Sequence, residues 1–122
     1  MRLTPRDFES LVEQAIAELP REFKDLLDNV AIVVEEEPTD EDLDALDDDA
    51  EEGDELLGIY RGVPRIERRY DMLPVLPDQI AIFRGPILRI AVTRREAVDE
   101  IRETVIHELG HYFGLHDDEM VF

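Results

Sequence analysis

Residues 107–117 read His107-Glu108-Leu109-Gly110-His111-Tyr112-Phe113-Gly114-Leu115-His116-Asp117, a set of side chains suited to metal-assisted hydrolysis. On a helix, positions i and i+4 lie above one another on one face. The imidazoles of His107 and His111 can therefore grip one cation, with Glu108 about 100° around the helix at the edge of that face. Two imidazoles and one further ligand leave a zinc ion an open position for water, which zinc acidifies to near neutral pH. Glu108 is then the general base expected to take that water's proton and deliver it to a leaving amine.

The third ligand depends on how the helix ends. Gly114 is a natural terminator, because glycine tolerates the left-handed backbone that reverses a chain sharply. Such a reversal would return Asp117 toward the two imidazoles, and register favours it. His116 is the next candidate, followed by Asp118 and Glu119, since carboxylates also bind zinc. By accident alone, H-E-x-x-H arises in on the order of one chain in several hundred, and requiring Gly and Asp at the later positions lowers that roughly two hundredfold. The plain alternative is a pair of exposed histidines beside an ordinary helix carboxylate. In that reading Gly110 and Gly114 are packing glycines, and Gly110 reads as one in either case. Thr104, Tyr60, Tyr70 and Tyr112 are weaker candidates; a tyrosine hydroxyl could donate to a tetrahedral intermediate.

The chain contains no cysteine, which excludes thiolate zinc sites, a cysteine nucleophile and disulfides. Its 122 residues, 43% of them hydrophobic, suit one domain spanning 1–122. The net charge of −19 argues against nucleic acid as a partner. Fourteen Asp and Glu fall within 35–55, with no Lys or Arg among them. Residues 36–55 are therefore expected to form a solvated, flexible acidic loop, and Arg65, Arg68 and Arg69 to pair with it. No signal segment or membrane-length apolar run is visible. A soluble cytoplasmic protein, monomeric by default and acting on a peptide, is the expectation.

The elements that must position the motif are legible from their ends. Thr4-Pro5-Arg6-Asp7 is a helix start, and Phe8, Leu11, Val12, Ala15, Ile16 and Leu19 give one apolar stripe up to Pro20. Phe23, Leu26 and Leu27 suggest a short second helix. Val30–Val34 reads as a buried strand, Leu56–Arg61 as a second and Gln79–Arg84 as a third, with Gly85-Pro86 turning the chain. Ile87, Leu88, Ile90 and Ala91 fit a short helix. Thr93-Arg94-Arg95-Glu96 has the capping-box form and starts a last helix over about 94–113.

The run Thr104–Leu115 with Asp117, the segments Leu57-Gly58-Ile59-Tyr60 and Gly62-Val63-Pro64, and the strand Ile80–Arg84 resemble the bacterial zincin-like metallopeptidases, a minimal metzincin-type family. The resemblance implies an α/β (α+β) zincin-like fold, a small mixed sheet on helices with the motif on a C-terminal helix. It implies zinc as cofactor, His107, His111 and Asp117 as ligands, and Glu108 as base. It also implies that an edge strand aligns an extended substrate by β-augmentation, here Leu56–Arg61 with Gly58, Ile59 and Tyr60 in contact with the peptide. Relative to full metzincins, no separate methionine turn is expected after Asp117, and Met120 is the nearest methionine. A rival reading keeps the scaffold as a metal-binding or protein-interaction module that turns nothing over.

Overall fold

The structure is a computed structural model that describes residues 2–44, 55–62 and 78–112. Helix α1 (Pro5–Ala17) starts as its sequence requires: Thr4 Oγ1 accepts the Asp7 amide at 3.1 Å, with Pro5 at the first helical position. Its stripe buries Phe8, Leu11, Val12 and Ala15. After Pro20 come α2 (Arg21–Leu26) and a single 3-10 turn, Leu27–Asn29. Strand β1 (Val30–Glu35) leads to the short helix α3 (Asp40–Asp44), followed by β2 (Gly58–Arg61) and β3 (Asp78–Phe83). Helices α4 (Arg84–Ile90) and α5 (Arg94–Tyr112) complete the described chain.

The strands form a mixed sheet in the order β1-β3-β2, with β1 parallel and β2 antiparallel to β3. This is the α/β architecture anticipated from sequence, a small mixed sheet packed on helices. One expectation needs correcting. Val30–Val34 was expected to be the buried strand, yet every residue of β1 is only partly buried, whereas β3 buries five of its six. A β-branched run identifies a strand but not its place in the sheet. Among the described residues β3 has a neighbour on each side and β1 has one.

The core lies on one face of the sheet, where Ile80 and Ile82 meet Phe8 and Leu11 of α1, Phe23 of α2, and Val98, Ile101, Val105 and Leu109 of α5. Burying each such side chain contributes about 1.5–3 kcal/mol before the entropy of ordering it. Helix α5 carries the motif across this core, and Thr93 caps it by accepting the Glu96 amide at 3.1 Å. Glu96 reaches back to the Val92 amide rather than to Thr93, so the expected capping box is completed one residue earlier. Gly85-Pro86 is also corrected: the pair sits inside the first turn of α4, where a proline's missing N–H costs no helical bond.

The described part of the acidic stretch is largely exposed, and Asp42 is the exception. Thr39 and Asp42 cap α3 reciprocally, the Thr39 amide donating to Asp42 Oδ2 at 2.8 Å and the Asp42 amide to Thr39 Oγ1 at 3.1 Å. Asp42 is 5% exposed. Arg61 of β2 reaches it at 2.7 Å and grips Glu35 with two bonds of 2.7 and 2.9 Å. Arg89 likewise joins Glu37 and Glu55. Each of these carboxylates meets an arginine from a distant element. Residues 45–54, Arg65, Arg68 and Arg69 lie outside the described residues.

Candidate active site

His107 and His111 fall in the last turns of α5, which runs unbroken through both positions. Their Cα atoms are therefore about 6 Å apart along one face. The His107 side chain is exposed, and Glu108 beside it is half-buried. The His111 and Tyr112 side chains lie outside the described residues, as do Tyr70 and the whole of Gly114, His116, Asp117, Asp118, Glu119 and Met120. Among the described residues no three metal-ligating side chains are gathered.

Strand β2 sets the environment of Glu108. The Leu57 carbonyl accepts the Phe83 amide at 2.9 Å, so odd-numbered residues of this segment turn their backbone groups toward β3. Gly58 and Tyr60 turn theirs to the opposite edge, because consecutive peptide groups alternate along a strand. There the Tyr60 amide donates to Glu108 Oε2 at 3.3 Å. Among the described residues β2 is an edge strand, so the motif's carboxylate stands against the outward-facing backbone of that edge.

Gly58 makes the approach possible. A Cβ at that position would lie 2.6 Å from Thr104 Cγ2 and 2.7 Å from the Ala81 carbonyl. Thr104 is buried, with its hydroxyl donating to the Glu100 carbonyl at 2.7 Å and its methyl toward the strand. The strand and helix advance together. Two residues of β2 span about 6.6 Å and one turn from Thr104 to Glu108 about 6 Å, so Gly58 over Thr104 places Tyr60 over Glu108.

Two side chains anchor this end of β2. On the core face the Tyr60 hydroxyl donates to Asp78 Oδ2 at 2.8 Å, and Asp78 is 7% exposed. That engages the hydroxyl that sequence offered to a reaction intermediate. On the opposite face Arg61 holds Glu35 and Asp42. Burial raises the Asp42 pKa, but hydrogen bonds from Arg61 and Thr39 outweigh it and the net shift is downward. Arg61 also lowers Glu35. On α5, Glu100 is shifted the other way, by burial first and then by repulsion from Glu103, Asp99 and Glu96.

Gly58 and Tyr60, predicted from sequence to contact substrate, are therefore at the edge facing Glu108, whereas the backbone of Ile59 pairs with β3. Sequence reasoning missed Asp78 and Arg61. Only Gly58 carried a local signal, since glycine inside a strand marks a close backbone approach.

The donors fit a zinc ion. The described residues supply one accessible imidazole, His107, and a second histidine position one helical turn further on, and with no thiol in the chain a zinc ion here would be held by imidazole and carboxylate.

A solved structure of a conserved hypothetical protein from Thermus thermophilus is similar, with 29% identity and a TM-score of 0.55, over 91% of this chain and 94% of its own. No curated protein matches. The model of a family described as zincin-like metallopeptidase matches residues 27–121, from the turn before β1 to beyond α5, and so includes the edge strand and the whole motif. With its HExxH helix laid beneath that strand, the chain belongs to the zincin-like metallopeptidase family.

Proposed function

We propose that the protein is a zinc-dependent peptidase that hydrolyses a peptide bond held in extended form along β2. The observation that carries this reading is the Tyr60 amide donating to Glu108, which brings the motif's carboxylate to a strand edge able to align a peptide. His107, His111 and Asp117 would hold the metal, which supplies Lewis acidity toward water and the substrate carbonyl. Glu108 accepts the proton of the attacking water on a carboxylate oxygen and returns it to the leaving amine nitrogen. Gly58, through its amide and carbonyl, and Tyr60, through its carbonyl, orient the substrate along the outward-facing edge, while the Tyr60 amide stays with Glu108. Thr104 excludes water beneath the strand by filling the space that Gly58 leaves.

Glu108→Gln tests the assignment, because the amide keeps the shape and loses the base. Cleavage of a broad peptide library is expected to fall by about a thousandfold or more, the scale of general-base loss, while zinc content is unchanged. A wild-type chain that binds zinc and cleaves nothing in the library would favour the silent binding module.

A further inference from the structure

Tyr60 takes part in two contacts at once. Its backbone amide donates to Glu108 Oε2 at 3.3 Å, and its hydroxyl donates to Asp78 Oδ2 at 2.8 Å. Asp78 opens β3 opposite Val30 and stands diagonally across from Tyr60, whose direct partner is Ile80. A carboxylate only 7% exposed is an expensive way to end a strand, because burial penalises its charge unless a donor compensates. An apolar residue there would pack against the tyrosine ring without that cost. What the carboxylate adds is direction, since it fixes where the far end of the ring lies. Arg61 restrains this end of β2 on the opposite face through Glu35 and Asp42, and the Tyr60–Asp78 bond restrains it on the core face.

From this geometry we infer that Asp78 is a positioning residue for Glu108, acting through Tyr60: it holds the phenol so that the backbone amide of the same residue stays over the carboxylate. The inference rests on the peptidase reading for its consequence in catalysis, but the contact itself can be tested without it. Misplacing a reacting group by about 1 Å costs rate on the order of a hundredfold, so a residue that sets that position affects turnover more than binding.

The experiment is backbone amide hydrogen exchange on the full chain, read residue by residue, for wild type, Glu108→Ala, Tyr60→Phe, Asp78→Ala and Asp78→Asn. The Tyr60 amide is expected to exchange about tenfold faster in Glu108→Ala, Tyr60→Phe and Asp78→Ala. The Ile59 and Arg61 amides, which face β3, should stay within about twofold, and Asp78→Asn, which keeps an acceptor, should restore the wild-type rate. In the zinc-loaded chain acting on a peptide library, Asp78→Ala should lower kcat about tenfold with KM within about twofold, and Asp78→Asn should recover most of it.

If Glu108→Ala frees the Tyr60 amide but Tyr60→Phe and Asp78→Ala do not, the positioning role is overturned while the site reading stands. If Ile59 and Arg61 exchange faster to the same extent as Tyr60, Asp78 is a general strand anchor and the proposal is likewise wrong. A wild-type chain that cleaves nothing removes the peptidase reading alone, and the exchange rates still decide what Asp78 does.

Discussion

Glu108 and His107 are neighbours in sequence and occupy different surroundings, one half-buried beneath β2 and the other exposed. That division suits their proposed tasks, since a base gains from fixed geometry and a ligand needs access. Glu100, two turns earlier, shows the cost of gathering carboxylates on one helix. Its pKa is raised above the usual 4.5 by burial and by Glu103, Asp99 and Glu96. A carboxylate with a raised folded pKa destabilises at neutral pH and is relieved as pH falls through that pKa. Glu100→Gln is therefore expected to raise Tm at pH 7, with the gain vanishing as pH drops below 4.5, measurable by thermal melts across pH. The motif residues were legible because an i, i+4 pair is local. Tyr60–Glu108 and Tyr60–Asp78, 48 and 18 residues apart, were not, because no local spacing records which distant backbone amide a carboxylate meets.

At the scale of elements, the starts of α1 and α5 were readable from Thr4 and Thr93, whose hydroxyls cap as their sequences suggest. Short-range chemistry decides such ends. The order of strands was not readable, because β1 and β3 are similarly apolar and only pairing makes β3 central. The decisive inter-element contact is Gly58 against Thr104. Gly58→Ala would force β2 away from both α5 and β3, since one clashing atom is the Thr104 methyl of α5 and the other is the Ala81 carbonyl of β3, which cannot rotate aside. The expected result is a loss of about 2 kcal/mol in stability, typical of overpacking, together with faster exchange of the Tyr60 amide. Chemical denaturation and amide exchange measure the two effects separately.

Across the whole molecule, arginines tie the acidic segment to the sheet and to α4. Arg61 and Glu35 stand at opposite corners of the sheet, opposite Gln79 and Phe83 respectively, and on the face away from the main core. Arg61→Ala leaves Asp42 buried without its cation and should cost about 2 kcal/mol, below the value for a dry pair because the guanidinium is 28% exposed. Composition showed that the segment is acidic, and its charge suggested solvation. What composition could not show is that Arg61, Arg84 and Arg89 collect Glu35, Glu36, Glu37, Asp42 and Glu55.

The pairs of Arg61 with Glu35 and Asp42, together with that of Arg95 with Glu18, fix the acid limb of stability. Glu35 and Asp42 are held below their usual values of 4.5 and 3.8, and Glu18, beside Arg95 and Gln14, falls to about 2. Groups with depressed folded pKa values stabilise fully above their unfolded pKa, and that contribution is lost as pH falls toward the folded one. Tm should therefore decline from pH 4.5 toward about 2. The decline should be shallower in Arg61→Ala, which has already lost the bonds to Glu35 and Asp42.

The central claim is that two histidines one helical turn apart bind the metal for a base held under an edge strand. Calorimetric titration of zinc into the metal-stripped full chain tests it most directly. One equivalent is expected to bind, with affinity reduced about a hundredfold or more in His107→Ala and in His111→Ala and retained in Glu108→Gln. A wild-type chain that takes up no zinc, or binds it equally well without either histidine, would contradict the account.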